Sequence, residues 1–325
     1  MSLLSNGKLK SFVQEYDILL MFAAFLVAIT AITGGSWLSV GNIVNVVSRV
    51  AVLGILSIAQ CAVILSGQMD LSVSSCLALF CSIYSVVFLG GYGIVVALTI
   101  SSVAILLIGL VNGMFASRTT IPAFVVTLGT MMIAHSMHLY VLKVARYLPQ
   151  IQNAIYEFMK PIPKGGELFA VFIWIAVFLV VSFMLSSTRF GRYVYAVGGN
   201  EKVSFYTGVP VRKIKFLVYM LSSALVCVAS FVFLYKFANI APGTGEWYLL
   251  DTIAAPIIGG VYLFGGRGKL WKAVMGALFL EILINFLRLV GVDPYIFSAI
   301  KGAIIAIGVI VSILLTPSYL RTRTR

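Results

Sequence analysis

Apolar runs recur along almost the whole chain, at 18–33, 50–66, 71–89, 94–116, 122–142, 168–185, 216–236, 249–264, 273–290 and 295–315. Each approaches the roughly 20 residues that a helix needs to cross the hydrocarbon core of a bilayer. Of the 325 residues, 61% are hydrophobic and 10% charged. A soluble domain is nearer half apolar and a quarter charged. The chain is therefore expected to be all-α, a polytopic transmembrane helical bundle of about ten spans. Residues 38–49 are mildly apolar with Asn42, Asn45 and Arg49, and read as a partial or re-entrant helix. Lys8 and Lys10 precede the first run as they would in a signal peptide, but no small-x-small cleavage site follows. That run is expected to stay in place as the first membrane helix.

The cations orient the bundle. With the N-terminus inside, the inner segments carry Lys8, Lys10, Arg118, Arg189, Arg192, Lys202, Arg212, Lys213, Lys215, Arg267, Lys269, Lys272, Arg321, Arg323 and Arg325. The outer segments carry only Arg49, Lys143, Arg146, Lys160, Lys164 and Lys236. Basic loops are retained on the cytoplasmic side, so both termini are expected in the cytoplasm. The net charge of +13 is spread over loops, which fits an anionic lipid surface and not nucleic acid. The longest outer segment, 143–167, holds Pro149, Pro161, Pro163 and an amphipathic patch at 151–159. It reads either as a landing surface for a soluble protein or as a loop packed on the headgroups.

One long polar interruption stands out, from Ser186 to Lys215, with six cations against the single acid Glu201. Gly198, Gly199 and Asn200 break the chain, and Asn200 is placed to cap a short helix from Glu201 to about Thr207. Glu201 suits its first turn, and Gly208 and Pro210 end it. Two readings are open: an ordinary positive-inside loop, or a segment that passes a push from a soluble partner to the membrane helices.

Little else carries chemistry. Cys61, Cys76, Cys81 and Cys227 lie in apolar runs without a CxxC, so buried thiols are expected, with no disulfide, metal or cofactor. Gly265, Gly266, Gly268 and Lys269 hint at a phosphate loop, but Leu263 and Leu270 occupy positions where a Walker A needs Gly and Ser or Thr. The chain is not expected to be an enzyme, because no nucleophile elbow or HExxH is present. His135 and His138 could share a helix face, in a hydrogen-bonded packing role or as a polar lining. Asp70 follows Gly67, Gln68 and Met69 at a predicted cytoplasmic turn, and reads as a cap for the next helix or as part of an inner gate. The uncharged hydrogen-bonding groups available to line a path are Asn45, Gln60, Asn112, Thr127, Thr130 and Asn285. Glu281, Asn285 and Arg288, at i, i+4 and i+7, are expected to share one polar face.

Four stretches resemble one family, the ribose-type sugar permeases of bacterial ABC importers. They are GQMDLSVSS at 67–75, IPAFVVTLGTMMIA at 121–134, TRFGRYVYAVGGNEKVSFYTGVPVRKIK at 188–215 and AAPIIGGVYLFGGRGKL at 254–270. The resemblance covers nearly the whole chain. It implies one permease domain over 1–325 and a cytoplasmic coupling loop at 186–215. It assigns docking on a separate ATP-binding subunit to Gly191, Arg192, Gly199, Asn200, Glu201 and Gly208. It also implies an extracytoplasmic solute-binding protein, a second permease copy or paralogue, and a place in the bacterial cytoplasmic membrane. Thr127 and Thr130 are implied to lie near the substrate path, for which Asn45, Asp70, Glu281 and Asn285 are the other candidates. Gln68 and Ser74 stand where the family usually has Gly, and Glu281 where it usually has a small residue. Two other readings remain: a branched-chain amino-acid permease of similar architecture, or an ion-coupled secondary transporter. The latter class usually needs intramembrane carboxylates, and only Glu281 lies deep in a predicted span.

Overall fold

The computed structural model describes residues 18–142, 146–147, 149–158 and 166–315. The termini with their basic residues, and residues 143–145, 148 and 159–165, lie outside the described residues. Thirteen α-helices are present among those described: α1 (Ile18–Ile32), α2 (Val40–Leu65), α3 (Val73–Val87), α4 (Gly93–Arg118), α5 (Ala123–Leu142), α6 (Pro149–Phe158), α7 (Gly166–Ser187), α8 (Arg189–Gly199), α9 (Glu201–Tyr206), α10 (Val211–Phe237), α11 (Tyr248–Ile258), α12 (Leu270–Leu289) and α13 (Pro294–Leu315). Six helical stretches are long and apolar enough to cross a membrane: Val40–Leu65, Val73–Arg118, Ala123–Leu142, Leu168–Ser187, Val211–Phe237 and Leu270–Leu289. The protein is thus a polytopic helical membrane protein.

The centre of the bundle is α2. Every residue from Val50 to Ser66 is buried, as expected of a helix that is apolar all round and surrounded by others. It packs against α7, α10, α11 and α12. Residues 40–49 belong to this same continuous helix, so the partial helix expected at 38–49 does not exist separately. Nothing there breaks the helix: Asn42 finds its partner on α12 and Asn45 on the next turn of α2 itself, as described below.

The 46-residue run Val73–Arg118 is two helices, α3 and α4, joined by a turn. Gly91 and Gly93 adopt φ of 85° and 77°, conformations that a side chain would strain, and the chain reverses there. Asn112 near the end of α4 then reaches Ser72 at the start of α3. α4 buries a stripe of Ala97, Ser101, Ile105, Gly109, Asn112, Gly113 and Ala116. Gly109 and Gly113 lie directly on Phe216, Tyr219 and Ser223 of α10, the close approach that small residues four apart permit in lipid. Val95, Val103 and Leu107 on the other side remain exposed, as on a lipid-facing surface.

The span expected at 249–264 is different. Its helix, α11, has 11 residues and reaches only about 16 Å, half of a hydrocarbon core. Before it, strand β2 (Asn239–Ile240) pairs antiparallel with β1 (Arg146–Tyr147), with Arg146 opposite Ile240. The chain then turns through Pro242, Gly243 and Gly245 until Gly245 lies against Ser74 near the start of α3. α11 therefore starts inside the bundle. It runs back along α12, where Gly276 lies on the Ala255 carbonyl and Gly259 on that of Lys272. Residues 259–264 are turn, not helix, and Gly260 has φ 89°.

Candidate translocation path and coupling surface

The polar stretch 186–215 is mostly helical. The sequence pattern pointed to the short helix α9, but not to α8 before it. Thr188 opens α8, its hydroxyl accepting from Gly191 N–H at 3.4 Å. Gly191 lies beneath the Leu185 backbone, too close for a side chain. Tyr195 donates to the Gly268 carbonyl at 2.9 Å, and burial pushes its phenol up to about 12, so it stays a donor. Gly198 rests on the Leu65 carbonyl at the end of α2, and Gly266 N–H donates to that same carbonyl at 2.9 Å. Three backbones, from α2, α8 and the 262–268 turn, therefore meet without intervening side chains.

From this junction α9 projects. Asn200 caps it, its Oδ1 accepting from Val203 N–H at 3.0 Å. Glu201 pairs with Lys215 of α10 at 2.6 Å, and Gly208, at φ 82°, ends the segment. Ser204 alone is buried, while Val203, Phe205 and Tyr206 are exposed, Tyr206 by 85%. Arg192 and Gly199 are at the surface, and nothing lies close to Gly199.

The six candidates for the path fall into two groups. Asp70, Thr127 and Thr130 belong to a closed network joining α3, α4, α5 and α10. Thr130 donates to Asn112 at 2.8 Å, and Asn112 to the Ser72 hydroxyl at 3.0 Å. Ser72 donates to Asp70 Oδ1 through its hydroxyl at 2.6 Å and its N–H at 3.0 Å. Ser222 donates to Asp70 Oδ2 at 3.1 Å, and Tyr219 and Thr127 reach the Met69 carbonyl. Burial pushes the Asp70 carboxyl up from its ordinary range, and the Ser72 and Ser222 hydrogen bonds pull it partly back. Asp70 does not cap α3 as expected: it bonds two residues ahead, closing a turn, and Ser72 takes the cap position. His138 plays a comparable structural part. Its Nε2 faces the carbonyls of Ala241 and Pro242 at 3.1 and 3.2 Å. Carbonyls only accept, so Nε2 carries the proton and Nδ1 accepts from Ser82 at 2.6 Å. No group of three potential metal ligands exists among the described residues.

The second group lies between α2, α11, α12 and α13. Asn42 and Asn285 exchange amide hydrogen bonds of 3.1 and 2.8 Å. Arg49 is held by Asn45 at 3.0 Å and lies over the Phe237 ring, 5.6 Å from its centroid. Asp251 and Lys301, 2% and 9% exposed, form a two-pronged ion pair at 2.8 and 3.0 Å. Glu281 lies within electrostatic reach of Asp251, Arg49, Arg288 and Lys301. It forms no hydrogen bond or ion pair among the described residues. The expected polar face of Glu281, Asn285 and Arg288 thus points to a charged cluster, but Asn285 is engaged by α2 and not by Glu281. The Asp251–Lys301 pair escaped sequence reasoning, because the two sit in different apolar runs 50 residues apart.

Such an arrangement, helices crossing lipid around a partly charged interior with an exposed helix on the basic side, defines a membrane transport subunit. Over residues 42–309 the chain matches the family described as branched-chain amino acid transport system / permease component, and it belongs to that family. It is a permease component and not an enzyme. The ribose import permease protein RbsC of Escherichia coli (strain K12) is 30% identical over 303 residues, covering 88% of this chain and 90% of the relative. RbsC of Bacillus subtilis (strain 168) is 31% identical over 293 residues, 88% of each chain. The fructose import permease protein FrcC of Rhizobium meliloti is 31% identical over 299 residues, 90% of this chain and 83% of FrcC. No solved structure matches.

Proposed function

We propose that this chain is the membrane-spanning subunit of an ATP-driven importer that carries a small sugar across the bacterial cytoplasmic membrane. The observation that carries this reading is α9: a capped, exposed helix joined through bare backbone to the end of α2 and to the 262–268 turn. A push on α9 reaches the segments that flank the charged cluster without passing through compliant side chains. The residues at 186–215 then form the coupling loop of a single permease domain spanning 1–325. Val203, Phe205 and Tyr206 face an ATP-binding subunit, and an extracytoplasmic binding protein delivers the sugar. A second permease copy or paralogue completes the assembly.

In this reading the chain crosses ten times, as α1, α2, α3, α4, α5, α7, α10, the part-extended, part-helical stretch 238–258, α12 and α13, with both termini in the cytoplasm. The relatives named for ribose and fructose support a sugar over a branched-chain amino acid as cargo. The test is reconstitution of the complete importer in proteoliposomes, with uptake of labelled ribose, fructose, xylose and leucine measured with and without ATP. ATP-dependent uptake of one of the sugars is expected. Uptake of leucine alone would favour the amino-acid reading, and uptake driven by an ion gradient without ATP would overturn both.

A further inference from the structure

Buried polar groups in this protein have partners almost everywhere. Ser85, Ser101, Ser223 and Ser230 each donate to the carbonyl four residues earlier, the default for a hydroxyl on a buried helix. The amides of Asn42, Asn112 and Asn285 are all engaged. Against that background four side chains depart among the described residues: Tyr84 on α3, and three together on α2 and α7. The Ser57 hydroxyl, both amide atoms of Gln60 and the Trp174 indole Nε1 are buried without a hydrogen-bond partner among the described residues. Gln60 is 0% exposed.

The three follow one another along α2, stepping round it by about 60° from Gly54 to Ser57 and again to Gln60. The Trp174 ring of α7 lies directly on Gly54 of α2, with its Nε1 as the nearest atom. Ser57 follows Gly54 by three residues and Gln60 follows Ser57 by three, so the polar atoms spread over two turns of α2. Gln60 shares its helix face with Asn42 and Arg49, to within about 20° at 100° per residue. It lies about 16 Å further along α2 than Arg49, and about 8 Å before the Leu65 carbonyl where the coupling junction begins. The orphaned groups thus sit between the charged cluster and the segment that α9 would move.

We propose that Ser57, Gln60 and Trp174 form a station that binds the hydroxyl groups of the cargo on its way through the inner half of the membrane. The proposal deepens the importer reading and rests on it. An amide offers an NH₂ donor group beside a carbonyl acceptor, a pattern that fits two adjacent hydroxyls; the serine hydroxyl serves either way, and the indole N–H only donates. None of the three carries a charge. The station therefore takes a neutral polyol, an aldose or ketose. A zwitterionic amino acid would leave its ammonium and carboxylate without partners. Removing a polar group that has no partner does not weaken the fold as removing a paired one does, so folding stability gives these three groups no role.

The test uses the complete importer in proteoliposomes, with whichever of ribose, fructose and xylose the wild type takes up as probe. Gln60→Met keeps length and flexibility, and Ser57→Ala removes only the hydroxyl. Each variant is expected to keep or raise Tm, to keep binding-protein-stimulated ATP hydrolysis within about twofold, and to lose about tenfold in the maximal rate of uptake. Uptake within about twofold of wild type in both variants would overturn the proposal. So would a lower Tm in both with uptake falling only in step with folded protein, the result if the three groups hold a structural water. Loss of assembly in both would equally overturn it, assigning the residues to packing. Failure of the wild type to transport any sugar would instead defeat the importer reading.

Discussion

Asn42 and Asn285 are 243 residues apart, and each donates its amide N–H₂ to the other's carbonyl oxygen. The pair locks α2 to α12 in one register beside the charged cluster. In lipid there is little hydrophobic force between helices, so packing and hydrogen bonds of this kind, worth about 1 kcal/mol each, set which faces meet. Asn42→Leu is expected to lower thermal stability by about 1–2 kcal/mol and leave the Asn285 amide unpaired. Asn42→Leu with Asn285→Leu should recover part of the loss, read from melts of the purified protein.

The Asp251–Lys301 pair joins α11 to α13 at a site closed to water. Lys301→Met would leave a buried carboxylate without its cation, at a cost of about 3–5 kcal/mol. Little folded protein should be recovered from membranes. Asp251→Asn combined with Lys301→Met removes both charges and should restore most of the yield. Equal loss in the single and double variants would show that the pair contributes no charge compensation.

On α9, Phe205 and Tyr206 face water, so alanine there should leave insertion and folding unchanged. As aromatic anchors of an interface, each should weaken binding of the ATP-binding subunit by about 2 kcal/mol or more, roughly thirtyfold. Co-purification and ATPase assays on the assembled complex check this. Replacing Glu201 and Gly208 together, which removes the Lys215 ion pair and the turn that ends α9, should separate ATP hydrolysis from uptake.

Two adjacent glycines should behave oppositely. A Cβ on Gly198 would run into the Leu65 carbonyl and the Gly266 backbone, while one on Gly199 meets nothing nearby. Gly198→Ala is therefore expected to abolish coupling or assembly, and Gly199→Ala to transport normally. Similar uptake by the two variants would mean that the junction can open without cost.

Thr130→Val breaks the chain of hydrogen bonds from Asn112 to Ser72 and Asp70. It should cost about 1–3 kcal/mol of stability while leaving the KM for uptake unchanged, because these groups are occupied by one another. A changed KM with normal stability would return Thr130 to the path.

Helices and their lipid-crossing character were legible from local pattern alone, since a bilayer demands about 20 apolar residues wherever a helix passes. The cap at Asn200 and the stop at Gly208 were legible for the same reason: each depends on neighbours within a few residues. Residues 40–49 and 249–264 were misjudged because polar residues in one and apolar residues in the other outweighed what surrounds them. Asn42 and Asn45 continue α2 because α12 and Arg49 satisfy them. The apolar stretch after Ile258 leaves the helix because its backbone turns at Gly260 and closes on the 262–268 segment.

The candidate site divides along the same line. Composition and spacing alone determined that the chain is a helical membrane protein, that its interior holds few charges, and which polar side chains lie within spans. Only the tertiary structure decided that Thr127, Thr130 and Asp70 are bound up with one another, that Lys301 answers Asp251, and that Ser57, Gln60 and Trp174 have no partner among the described residues. The reason is physical: a polar side chain in lipid acts according to what lies across from it. That partner comes from another helix, brought there by packing and not by any pattern along the chain.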